Sequence, residues 1–187
     1  GPGLNDLRSL RVCFDDAALY LGIDGTSEDA NAIMAFLDRD DGAGTGITAA
    51  STLADRVGAL DSAISSRFAA FPAGFGIDWV WGSRGMLSNR GGTTGAGAGL
   101  RDVRTNPADY GWIGGDETVC VRGGHTCEVS LPWSVLYGAS GRPSPASLAL
   151  FVRLGNSDGS QAANQTLPED DPALPFTVSR LMRIALP

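Results

Sequence analysis

The chain has 187 residues, 43% of them hydrophobic and 19% charged, with a formal net charge of −7, the profile of a globular chain with one sizeable core. An acidic surface lacks the basic footprint that a phosphate backbone requires, which argues against nucleic acid as a partner, and no run of apolar residues is long enough to span a bilayer as a helix, so no membrane insertion is expected. All 14 cations are arginine, so lysine chemistry, from the phosphate-loop lysine to Schiff bases, is excluded.

Gly1-Pro2-Gly3 reads as the scar of a cleaved expression tag and is set apart from the fold. Residues 4–187 read as a single domain, expected to be part of a larger protein. Leu10–Phe14, Ala18–Asp24 and Asn31–Leu37 have strand composition, punctuated by Asp15-Asp16 and by Gly25-Thr26-Ser27. Asn31–Leu37 is apolar at both alternating sets of positions, as suits a central strand covered on both sides.

FLDRDDGAGTG follows, at residues 36–46. Gly42, Gly44 and Gly46 are spaced G-x-G-x-G with no following lysine, which removes the phosphate-loop and dinucleotide readings. Asp38, Asp40 and Asp41 crowd at a strand end, and the glycines let the backbone curl so that carbonyls can converge, Gly44 among them. Calcium takes six to eight oxygens of this mixed kind. The loop is not an EF-hand, because Gly42 falls where a ligand belongs and Ala49 where the bidentate glutamate belongs. Further donors must come from elsewhere, with Asp55, Asp61 and Asp78 as candidates. The alternative is a plain acidic turn.

From 48 to 70 the alternation is lost. Leu53, Val57, Leu60 and Ile64 recur at three- and four-residue spacing, predicting one or two short helices across the sheet. Gly76–Gly82 reads as a strand, and residues 83–106 as a long glycine-rich loop. Trp79 and Trp81 alternate on one strand face, and Tyr110 and Trp112 repeat that spacing. Exposed, either pair is a platform for a sugar ring; buried, it is core.

Glu117–Arg122 and His125–Ser130 read as a hairpin turning at Gly123-Gly124. In that register Cys120 faces Cys127, within reach of a disulfide, and a disulfide implies an oxidising compartment. Cys13 is then left over as a core thiol. Pro132-Trp133 begins a turn or short helix to Tyr137. Ser147–Leu154 alternates cleanly, residues 155–175 form a polar excursion, and Phe176–Leu186 is the closing strand. His125 is the single histidine, too few nitrogen ligands for zinc, and no G-x-S-x-G elbow accompanies it. The expected fold class is all-β with minor helices, a single antiparallel β-sandwich with a long glycine-rich loop.

The segments ALYLGIDGT, NAIMAFLDRDDGAGTGI, LADRVGALDSAIS, AGFGIDWVWG, CEVSLPWSVL and ANQTLPED together resemble bacterial secreted domains related to family 9 carbohydrate-binding modules and, more broadly, to DOMON-like domains. The resemblance spans most of residues 10–170 in the same order. It departs at Arg39 and Asp41, where the family pattern has threonine and proline, and at the insertion of 83–106. It implies a jelly-roll-like sandwich with Trp133 in its core, a secreted or cell-surface location, and no catalysis. The expected partner is a glycan or another component of the cell surface or extracellular matrix. Two functions stay open: a calcium-stabilised carbohydrate-binding module, or a structural and adhesive domain that binds no sugar.

Overall fold

The computed structural model describes residues 5–27, 31–49, 68–84, 98–104, 119–123, 126–155, 162–170 and 176–187. In chain order the strands are β1 (Asp6–Phe14), β2 (Ala18–Thr26), β3 (Ala32–Asp38), β4 (Phe68–Ala70), β5 (Trp79–Arg84), β6 (Ala98–Asp102), β7 (Val119–Gly123) and β8 (Thr126–Pro132). A single turn of helix, α1 (Trp133–Tyr137), leads to β9 (Ala146–Gly155), β10 (Ala162–Leu167), β11 (Phe176–Thr177) and β12 (Met182–Leu186). The protein is all-β with almost no helix among its described residues, as its alternating apolar pattern predicts.

One antiparallel sheet runs β1-β2-β8-β7 and the other β10-β9-β3-β5-β6, with β12 paired along the first half of β9. Leu19, Leu21 and Ile23 of β2 and Cys127, Val129 and Leu131 of β8 point from the first sheet into the same apolar cluster as Ile33, Ala35, Leu37 and Trp81 of the second. The two sheets therefore share a core, a sandwich-like arrangement. The second sheet is also covered on its far face, where Met34, Phe36, Val80 and Phe151 pack with Phe75, Ile77 and Val178. Phe36 and Phe151 stack there at 4.7 Å. Two covered faces explain why every residue of β3 is buried: a strand between two cores has no side to leave polar.

The β1–β2 turn is closed by Asp15, whose Oδ1 accepts the amides of Ala17 and Ala18, the usual reason for aspartate at such a position. Gln165, in the ANQTLPED segment, joins the two sheets along one side. Its Oε1 accepts the Leu7 amide of β1 and its Nε2 donates to the Asn5 carbonyl.

Five expectations are corrected here. Ala98–Asp102 lies inside the predicted glycine-rich loop yet pairs with β5 as a strand, and Ala162–Leu167 lies inside the predicted polar excursion yet pairs with β9. The closing stretch is two strands, β11 and β12, rather than one. The β7–β8 hairpin is slipped from the predicted register: Gly123 faces Thr126, Arg122 faces Cys127, and Cys120 faces Val129. Gly123 continues the strand instead of turning, so the two cysteines are offset, and the described residues form no disulfide. The compartment argument built on that bridge falls with it. Cys13 is exposed rather than core, because it shares the outward face of β1 with Ser9 and Arg11. The predicted helices of 48–70 lie outside the described residues, apart from the short β4.

Candidate metal centre

Register brings two carboxylates together. Leu37 of β3 pairs with Trp79 of β5, so the next residues outward, Asp38 and Asp78, lie side by side. The Asp78 amide donates to the Leu37 carbonyl at 2.8 Å, and the Val103 amide donates to the Asp78 carbonyl at 2.9 Å. Both side chains are fully buried. Asp40 completes a trio in which one carboxylate oxygen of each residue lies within 4.8 Å of the others.

The glycine spacing now has a physical reason. Gly42, Gly44 and Gly46 all have left-handed φ, at 92°, 68° and 73°, a conformation that costs glycine little. The loop curls onto residues 74–77, with the amides of Gly42 and Gly44 both donating to the Gly74 carbonyl and Ile47 bridging to Ile77. Gly46 sits so close to this segment that a Cβ there would lie 2.7 Å from the Ile77 carbonyl and 2.9 Å from Oδ1 of Asp78.

Hydrogen bonds satisfy part of the trio. Asp38 accepts the Asp40 amide through Oδ1 and the Gly76 amide through Oδ2, each at 3.0 Å. Asp78 accepts the Arg39 amide through Oδ2 at 2.9 Å, and Asp40 accepts the Thr45 hydroxyl. Oδ1 of Asp78 is buried without a hydrogen bond, and it is the oxygen that faces Gly46. Two guanidinium groups stand near Asp78 but beyond hydrogen-bond range, Arg39 Nε at 3.8 Å and Arg104 Nε at 3.7 Å. Both are committed elsewhere. Arg39 donates to the Leu136 carbonyl and lies over the Tyr137 ring, while Arg104 is paired with Asp102 at 2.6 Å and lies over Trp79.

Burial pushes the Asp38 carboxyl up to about 7, with the neighbouring carboxylates Asp78 and Asp40 adding to the rise and the two amide donors opposing it. Burial raises Asp78 as well, opposed by the Arg39 amide and the two guanidinium groups. Buried carboxylates that crowd one another either take up a proton or gather around a cation. The spacing admits the second outcome. An ion that takes oxygens at 2.3–2.6 Å holds ligands on opposite sides about 5 Å apart. Asp40 also lines an open groove of about 500 Å³ beside Arg39, Asp41 and Tyr137, which gives the trio a path to solvent.

Of the sequence candidates, Asp38 and Asp40 are brought together, and Asp78 joins them from the named donors. Asp41 turns away to pair with Arg183 at 2.8 Å. Gly44 shapes the loop through its φ and its amide. Asp55 and Asp61 lie outside the described residues. The flanking Arg39 and Arg104 carried no sequence signal as partners of this site, since only the fold places them beside Asp78.

The sugar platform is corrected in part. Trp79 is 7% exposed and Trp81 fully buried, both in the shared core, with the Trp79 indole donating to the Leu136 carbonyl at 3.2 Å. Their alternation marks an inward face. Tyr110 and Trp112 lie outside the described residues. Trp133 is core, as its Pro-Trp position in the resemblance implies. No protein-family model, curated protein or solved structure matches the chain.

Proposed function

We propose that this chain is a non-catalytic β-sandwich module of an exported bacterial protein, held at one end by a structural calcium ion. The observation that carries the reading is the buried Asp38–Asp78 pair with Asp40 beside it, in which Oδ1 of Asp78 has no hydrogen bond. A doubly charged ion supplies the missing partner, and the curled loop of 40–46 supplies nearby backbone oxygen. Calcium suits this set better than magnesium, because a glycine-rich loop tolerates irregular coordination and three carboxylates offer more oxygen than magnesium usually takes. An extracellular setting, where free calcium is abundant, suits a site of modest affinity.

In this reading the ion closes the end of the six-stranded sheet and takes no part in a reaction. The second reading, carbohydrate binding, no longer rests on Trp79 and Trp81. It is favoured by the polar outer face of the four-stranded sheet, where hydroxyls, carboxylates and a guanidinium adjoin.

Thermal unfolding in EDTA and in millimolar calcium tests the first reading. At a dissociation constant of 10⁻⁴–10⁻³ M, ~1 mM calcium stabilises the fold by roughly 0.4–1.4 kcal/mol, a rise of about 1–6 °C in midpoint for a chain of this size. Asp78→Asn keeps an acceptor for the Arg39 amide and removes the charge, so the calcium-dependent rise should vanish while the midpoint in EDTA holds or increases. Coincident midpoints for the wild type in the two buffers would refute the calcium site.

A further inference from the structure

We propose that the outer face of the four-stranded sheet seats a neutral glycan chain in a trough floored by Gly22; this gives the carbohydrate reading a location and rests on that reading, not on the cation. The register sets Gly22 at the centre of the face, between Arg11 of β1 and Glu128 of β8. On one side lies the row Ser9, Asp24 and Thr126, and on the other Cys13, Tyr20 and Ser130. Where the central side chain is missing, the face dips into a depression of about 550 Å³.

The glycine itself needs a reason. At Gly25 a Cβ would lie 2.4 Å from the Asp6 carbonyl, and at Gly76 it would lie 1.5 Å from that of Thr45, so the backbone requires glycine at both. At Gly22 the nearest atom to a Cβ is the Arg11 Cβ at 3.7 Å, an ordinary contact. The sheet would accept a side chain there, and a glycine inside a strand weakens it. A glycine kept against local preference, with no steric demand, marks a place where something outside the sheet comes close.

The chemistry of the rim selects what that is. The hydroxyls of Ser9 and Thr126 donate to the two oxygens of Asp24 at 2.6 Å each, and Arg11 pairs with the same carboxylate at 3.1 Å. This corner is pre-set, with donors and acceptors fixed in place. The Glu128 carboxylate and the Ser130 hydroxyl flank the opposite side, and the half-buried Tyr20 ring closes the end, its hydroxyl donating to Asp15. Alternating donors and acceptors beside one aromatic ring match a pyranose, in which every hydroxyl both gives and accepts. Charge excludes the anionic alternatives. Among the described residues Asp15, Asp24 and Glu128 outnumber the cations that act here, Arg11 and, through its charge on Asp24, Arg8, so phosphates and uronates are repelled while a neutral polyol is not.

Affinity electrophoresis of the full chain through gels containing a soluble β-glucan, a xylan, a galactomannan or polygalacturonate tests this. The expected result is retardation in at least one neutral gel and none in polygalacturonate. Gly22→Val should lose at least tenfold in affinity while its thermal midpoint equals or exceeds that of the wild type, a combination that general unfolding cannot produce. Should Gly22→Val fold poorly, Glu128→Gln replaces it, with the same loss expected at an exposed position. Wild-type retardation in the variant would place the binding elsewhere and overturn the trough. Retardation in polygalacturonate alone, or in no gel, would overturn the glycan. Running each gel in EDTA and in calcium, with midpoints read on the same samples, separates a failure here from a failure of the cation reading.

Discussion

Asp24 and Asp38 occupy comparable places in the two sheets, one in β2 and the other at the end of β3, yet they titrate in opposite directions. Asp24 stands on a solvent face, where hydrogen bonds from Ser9 and Thr126 and the charge of Arg11 hold its carboxyl below the ordinary range. Asp38 lies between two covered faces, where burial drives it up to about 7 despite two amide donors. The wet carboxylate is already supplied with donors, whereas the dry one shares its space with other carboxylates and calls for a proton or a cation. The difference between the two ends of the molecule is therefore one of burial before it is one of function.

The comparison assumes that the six-stranded sheet is dry on both faces and that the four-stranded sheet is wet on its outer one. Trp81 tests the first half with the largest expected effect. Fully buried in the shared core, it should cost about 3–5 kcal/mol when replaced by alanine, read as a lower urea midpoint. Tyr20→Ala, on the wet face, should cost well under half as much. Equal costs would mean that the two faces are not distinct.

The next largest effect is a pH dependence with opposite signs at the two ends. In protein stripped of metal, Asp38 has a folded value near 7 against about 3.9 when unfolded, so the folded state binds the proton more tightly. Its contribution is fully present below pH 4 and is lost as pH rises through 7. Asp24 is shifted the other way, and its contribution is present above pH 4 and lost as pH falls below that. Thermal midpoints in EDTA should therefore decline between pH 4 and 7. Calcium should restore them increasingly over the same window, since protons and the cation compete for the same oxygens. A calcium effect that is unchanged from pH 5 to 8 would remove Asp38 from the site.

Sequence pattern carried the strands that have a strong period or a strong composition. Asn31–Leu37 declared itself central through its unbroken apolar run, and Leu148, Leu150, Val152 and Leu154 marked one face of β9. The aspartate–glycine loop was legible as a cluster, because three acids at a strand end are rare and glycine spacing hints at curling. What pattern could not supply was which faces are covered. Trp79 and Trp81 share a face in either reading, and only the second core beyond β3 and β5 settles that both sides are dry. Short edge strands were hidden for a similar reason, since Ala98–Asp102 is held by its pairing with β5 rather than by its own propensity. The hairpin failed at a finer level. Moving the turn along Gly123-Gly124 shifts the pairing by two residues, so Cys120 meets Val129 instead of Cys127, and a shift of two keeps both positions on the same face of the sheet.

Glycine supplies the smallest test, and it sets the two regions against each other directly. Gly46, beside Asp78, combines a φ of 73° with a would-be Cβ 2.7 Å from the Ile77 carbonyl, so alanine there should cost more than about 1 kcal/mol through strain alone. Gly22 on the wet face has neither constraint, and valine there should leave stability unchanged or raise it by up to about 1 kcal/mol, the gain expected from a β-branched residue in a strand. Urea midpoints of the two variants in EDTA read the pair without interference from the ion. If Gly22→Val proves as costly as Gly46→Ala, the backbone does require glycine at both, and the dip on the outer face becomes a consequence of folding rather than a place kept open for a ligand.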